Sequence, residues 1–336
     1  MTQNMQKPNP ERTRWLGAEL KERSEHLDKL YIKHPSVRKI LDYIDTELVS
    51  RAADGHTSGL LIISPSGAGK SALIKHLINR FPAVETDEFR TCPVVAFNVP
   101  PVPSPKTMGA GMLKAMGDVL WDTGTAEKKL DRIAVLLAAA KTKLVLIDNF
   151  QDIPMRRRSR GVLNVATWVR DICDINFGGI VIAIGTAEAA QVRDANEQVQ
   201  RRIQARLNLP TFGGETRDDL INFSKLLKSF DHSLPLAEDS GIYLGDMPKR
   251  IHCATHGNFD YLIKLLKRAI EIAVANGHER LSIEVLFDAF SQQHQLYAAP
   301  ENPFSPDYLW SNLAQPGQVF YNVAFPVELP EEEAVA

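Results

Sequence analysis

The sequence predicts an α/β fold, a P-loop doubly wound parallel sheet of the ASCE/AAA+ kind with a C-terminal all-α lid. Three observations predict it. Residues Ser64 to Ser71 form a glycine-rich phosphate loop, apolar runs alternate with helical spans up to about residue 214, and strand signals then stop. Alternation of this kind builds a parallel sheet whose ligands sit at the carboxyl ends of the strands.

The loop lies between the apolar run Leu60–Ile63 and the helical stretch Ala72–Ile78, in the order strand, loop, helix. Ser66, Gly67, Ala68 and Gly69 bring backbone N–H groups to a phosphate, Lys70 neutralises the β- and γ-oxygens of ATP, and Ser71 offers a hydroxyl to Mg²⁺. Ser64 stands where the usual pattern has glycine, while Gly67 and Gly69 keep the backbone approach open.

Ahead of the loop, apolar spacing predicts a helix over Arg12–Tyr31 and a second from Pro35 to about Ala52, together an N-terminal helical segment over 1–57. The link around His34 and Pro35 precedes the phosphate-loop strand. It is either an adenine contact or a packing helix cap.

After the loop the predicted strands are Pro93–Val99, Lys143–Asp148, Gly179–Ile184 and Arg206–Leu209, and the ATPase core spans 58–214. The strand at 93–99 intervenes between the loop strand and the Asp148 strand, as in the ASCE branch of P-loop proteins, which includes the AAA+ ATPases. Helical spans over 215–296 form the lid. Residues 297–336 are acidic and aromatic, and are read as a docking segment for another protein, against packing on the chain's own lid.

Leu144–Asp148 has the form of a Walker B strand, which places the Asp148 carboxylate at a strand end where it can hold the Mg²⁺ water shell. Asn149 follows, where most AAA+ proteins have a glutamate; an amide hydrogen-bonds water but accepts no proton. ATP binding with slow hydrolysis is expected. Thr186 sits at a strand end, suited to sense the γ-phosphate or to cap the next helix. Arg201 and Arg202 precede the last core strand, where an arginine finger would reach a neighbouring subunit's ATP, or where a basic pair would simply be solvated. The densest basic cluster is Arg156, Arg157, Arg158 and Arg160, just past the Asp148 strand. Guanidinium groups there suit phosphates of double-stranded DNA without reading its sequence. His252-Cys253-x-x-His256 is read as part of a lid helix and not as a metal site.

Composition is that of a soluble globular chain: 44% hydrophobic, 24% charged, with a formal net charge of −2. The last 36 residues hold six acidic and no basic side chains, so the remainder carries 39 basic against 35 acidic, a body of +4. No apolar run reaches membrane-span length, Met1–Arg14 does not have the form of a signal peptide, and three isolated cysteines suit a reducing, cytoplasmic setting.

Several phrases together resemble the TniB/TnsC transposition ATPases, AAA+ helpers of DDE transposases. They are Arg12–Leu16, Tyr31–Val37, Leu60–Ser71, Ile184–Glu188, and Arg250–Gly257 leading to Tyr261–Ala269, over about residues 12–295. The resemblance implies ATP binding, self-assembly into rings or filaments on duplex DNA, and a link between a target-selection protein such as TniQ and the transposase; in some systems a CRISPR-guided complex makes the selection. It assigns Lys70 and Ser71 to phosphate and Mg²⁺, Asp148 to Walker B and Thr186 to the sensor. Ser64, Asn149 and Asp260, the last near the usual place of a lid sensor arginine, depart from the pattern. A remodelling ATPase and an ATP-binding scaffold without DNA are the rival readings.

Overall fold

The computed structural model describes residues 10–86, 89–153, 160–293, 302–308, 310, 313 and 320. It divides into two units, Lys33–Pro210 and Met1–Ile32 with Thr211–Ala336.

The first unit is built on five parallel strands: β1 (Ser58–Ile63), β2 (Val94–Asn98), β3 (Leu144–Asp148), β4 (Ile180–Gly185) and β5 (Ala205–Asn208), in the spatial order β2-β3-β4-β1-β5. All six residues of β4 are buried, whereas the edge strands β2 and β5 alternate between covered and open positions. Helices on both faces explain the continuous Ile/Val run of the central strand. Each such side chain taken from water contributes about 1.5–3 kcal/mol. The strand that lies between β1 and β3 in space is β4; β2, which intervenes in sequence, is at the edge.

The helix Pro35–Asp54 buries Val37, Ile40, Leu41 and Ile44 and ends at Gly55 in the left-handed conformation. An ion pair of 2.9 Å between Arg80 and Asp45 joins it to the helix Lys70–Arg80 that follows the phosphate loop. Helices Pro105–Ala115 and Ala126–Ala139 occupy the connection from β2 to β3.

The second unit packs helices Leu20–Lys29, Arg217–Ser233, Met247–Thr255, Phe259–Ala275 and Ile283–Gln293 around one apolar core. The helix expected over Arg12–Tyr31 is instead two, Pro10–Thr13 and Leu20–Lys29, broken at Gly17 with φ of +78°. The expected N-terminal segment is thereby shared: Leu27 joins the lid core, and Pro35–Asp54 belongs to the sheet unit. Arg23 is fully buried; it grips Glu279 at 2.9 and 2.8 Å and donates to the carbonyls of Trp15, Ala18 and Pro235.

The described part of the tail is not a free docking segment. Phe304, Leu313 and Phe320 are buried in the same core, with Phe304 edge-on to Phe290 and Phe320 against Tyr261 and His256. Arg250 holds it by donating to the carbonyls of Pro303 and Ser305 at 2.7 and 2.9 Å. That packing accounts for Phe304 and Phe320, whereas Trp310 stays partly exposed. Among the described residues, no helix is long and apolar enough to cross a membrane.

Candidate nucleotide site

Three strand ends meet at one edge of the sheet. β1 runs into the phosphate loop, and β4, beside it, ends opposite: Ile63 pairs with Gly185, and the Ser64 N–H donates to the Gly185 carbonyl at 2.8 Å. β3 flanks β4 on the other side and carries Asp148 at its end.

The loop turns through Gly67 and Gly69 at φ of +73° and +105°, conformations that side-chain-bearing residues seldom adopt. Gly69 is the N-cap of Lys70–Arg80 and has no side chain to cap it. The first N–H groups of a helix have no partner within it, and the helix dipole adds a partial positive charge there, so this end suits an anion. Ser64 is wholly buried, and Ser66 and Ser71 are exposed. The replacement of the first glycine thus sits beneath the loop, away from the open face.

Lys70 folds back on the loop, its Nζ donating to the carbonyls of Ser64 and Pro65 at 2.9 and 3.0 Å. Burial lowers its pKa, and the neighbouring Asp148 carboxylate opposes that shift. Lys70 and Asp148, assigned from separate motifs, are therefore electrostatic neighbours. The hydroxyl of Ser71 and the half-buried carboxylate of Asp148 are hard oxygen donors, which fit Mg²⁺ with retained waters.

Asn149 is in the left-handed conformation, φ +57° and ψ +41°, with its N–H donating to Asp148 Oδ1 at 2.9 Å. Asparagine tolerates that conformation better than most residues, which accounts locally for its presence. Thr186 is half-buried directly after β4; its hydroxyl donates to Glu188, which lowers the Glu188 pKa.

Nothing in the sequence alone singles out Gln151. Its Oε1 accepts from the Thr186 N–H at 3.2 Å and its Nε2 donates to Asp152 Oδ1 at 3.2 Å, so it ties the exit of β3 to that of β4. The sequence signal, a polar residue three positions after the strand-end acid, acquires meaning only when the two exits are known to adjoin.

His34 is the N-cap of Pro35–Asp54 with Pro35 in the first turn, and is nearly buried. Burial pushes its pKa down to about 4, so the ring is neutral at pH 7. Burial, and then the charges of Lys33 and Arg80, lower the pKa of His76 in the phosphate-loop helix. Arg201 and Arg202 form the last turn of the helix Glu197–Arg202. Arg202 pairs with Asp174, whereas Arg201 is 68% exposed beside Glu197. Arg156, Arg157 and Arg158 lie outside the described residues; Arg160 opens the helix Arg160–Asp174. Asp260 is in the first turn of Phe259–Ala275, where an acid suits the helix dipole, and pairs with Lys264 at 2.6 Å.

The sequence profile of the bacterial TniB protein family matches residues 24–213, more than half of the chain. The chain belongs to the TniB family. No curated protein matches it. Among solved structures it is similar to the Aeropyrum pernix ORC2 protein in ADPNP–ADP complexes, at TM-score 0.56 and 19% identity over 81% of this chain and 72% of that one. Cdc6p from Pyrobaculum aerophilum gives TM-score 0.55 and 16% identity over 79% and 69%. Drosophila ORC bound to DNA gives 0.51 and 14% over 87% and 70%. At these identities the likeness concerns the fold, a P-loop AAA+ architecture.

Proposed function

We propose that this TniB-family chain is an ATP-dependent regulator of DNA transposition that assembles on duplex DNA and links a TniQ-like target-selection protein to a transposase. The observation that carries the reading is the convergence of the phosphate loop, Asp148 and Thr186 on one sheet edge in a chain of this family. ORC structures with nucleotide and with DNA on the same fold support it.

In this reading Ser66, Gly67, Ala68 and Gly69 cradle the phosphates, Lys70 turns from its two carbonyls to the β/γ oxygens, and Ser71 and Asp148 hold Mg²⁺. The neutral His34, with Pro35, borders the adenine. Bound ATP supplies the γ-phosphate that separates the assembling state from the released one. Asn149 positions water without taking a proton, so turnover is slow and the protein works as a switch. Arg201 or Arg202 completes a neighbour's site, and Arg156, Arg157, Arg158 and Arg160 hold DNA phosphates.

The test is negative-stain imaging of the protein with duplex DNA, with and without Mg·ATP. Rings or filaments on DNA only with nucleotide are expected; nucleotide binding without DNA assembly would point to a scaffold.

A further inference from the structure

Asn149 puts an amide where a base is usual, and a carboxylate bonded to a hydroxyl stands at the neighbouring strand exit. β3 and β4 run in parallel register up to Ile147 and Ala183, so their exits adjoin. Gln151, after β3, accepts the Thr186 N–H through Oε1 at 3.2 Å and so holds the backbone of the residue that follows β4. Gly185 makes room for this: a Cβ there would stand 2.6 Å from Gln151 Oε1 and 2.7 Å from the Ala189 Cβ. The Thr186 side chain is held as well, because its hydroxyl donates to Glu188 Oε2. A hydroxyl has one proton to give and two lone pairs. With its proton committed to Glu188, Thr186 Oγ1 has lone pairs left for a donor such as water.

Among the described residues, three carboxylates follow β3 and β4 at these exits. Asp148 accepts the Asn149 N–H at 2.9 Å and is the Mg²⁺ candidate. Asp152 accepts from the Gln151 amide at 3.2 Å, and an amide relays no proton. Of the three, only Glu188 is bonded to a hydroxyl, which can both give and receive one. The hydrogen bonds from Thr186 and from its own backbone N–H lower the Glu188 pKa. It is therefore ionised at pH 7 and a weak base, which suits slow turnover.

We propose that Glu188 is the proton acceptor for ATP hydrolysis in this chain, acting through the Thr186 hydroxyl because Asn149 supplies no base. Water held by Asn149 attacks the γ-phosphorus, and the bond from that phosphorus to the bridging oxygen of ADP breaks. The water proton passes to Thr186 Oγ1 as the Thr186 proton passes to Glu188 Oε2. ADP leaves with the bonding electron pair, inorganic phosphate forms, and the exposed Glu188 returns its proton to solvent. The relay rests on the proposed function and adds to it the route by which the residual hydrolysis runs.

The experiment measures steady-state phosphate release by the full chain with Mg·ATP, beside binding of Mg·ATPγS. Glu188→Gln keeps an acceptor for the Thr186 hydroxyl but removes its basicity. It is expected to lower kcat at least about tenfold, with KM and ATPγS affinity within about twofold of wild type. Thr186→Val is expected to lose as much, and Thr186→Ser to recover most of that loss. In the Asn149→Glu background a nearer carboxylate takes the proton, so Glu188→Gln is expected to change kcat by less than about twofold. A merely structural role would cost the same in both backgrounds. That result, or wild-type kcat in Glu188→Gln, overturns the relay. A wild type that binds ATPγS but releases no phosphate overturns the relay and leaves the nucleotide site standing. A wild type that does not bind ATPγS overturns the site reading and the relay with it.

Discussion

Arg202 Nε lies 2.6 Å from Asp174 Oδ1, and a second guanidinium nitrogen lies 3.3 Å from Oδ2, so this arginine is engaged within its own chain. Among the described residues, the side chain of Arg201, one residue earlier, pairs only with the exposed Glu197 one turn away. Exposed pairs of that kind are worth about 0–1 kcal/mol and yield readily to a stronger anion. Of the two, Arg201 is therefore the one better placed for the proposed finger role. Arg201→Ala is expected to abolish nucleotide-dependent assembly with ATP affinity unchanged, and Arg202→Ala to lower the melting temperature; light scattering and thermal melts separate them.

Asn149→Glu restores a base beside Asp148. Hydrolysis is expected to rise by about tenfold or more, and stability to fall by about 1 kcal/mol, because glutamate is strained at the positive φ of this position. Steady-state phosphate release and a denaturant melt are the two readouts. Unchanged turnover would mean that Asn149 is not what slows the reaction.

The tail contributes to the lid. Phe304→Ala and Phe320→Ala each remove a ring that is 1% exposed, and a loss of about 3–5 kcal/mol is expected in denaturant melts. A dispensable docking segment would leave the melt unmoved.

Acid should loosen both units. Burial lowers the pKa of His34 and His76 in the sheet unit and of His252 and His256 in the lid. For a histidine whose folded pKa is depressed, the contribution is complete above the unfolded value near 6.5. It is lost as pH falls toward the folded value, because the unfolded chain takes up the proton first. For His34, with a folded value of about 4, the loss amounts to roughly 2–4 kcal/mol. Melting temperatures at pH 7 and pH 5 test this, with His34→Gln expected to show a smaller drop than wild type.

Much of the sheet unit was legible in the sequence because its signals are local. The run Leu60–Ile63 with the glycines after it, and the apolar run ending at Asp148, mark a strand and its exit without reference to anything distant. What was not legible depends on partners far along the chain. Arg23 reads as one charge on a helical face, yet it is a buried clamp on Glu279. Phe320 reads as a tail aromatic until Tyr261 and His256 are found beside it. Gln151 and Thr186 are 35 residues apart and meet only because β3 and β4 are neighbours. The break at Gly17 was within reach, since a glycine in a helical pattern invites positive φ.

The most direct test is calorimetric titration of the full chain with Mg·ATPγS, beside Lys70→Ala and Asp148→Ala. Saturable binding to wild type, lost with Lys70→Ala and made independent of Mg²⁺ with Asp148→Ala, is the expected result. No binding to wild type, or equal binding to all three, would contradict a nucleotide-gated switch at this sheet edge.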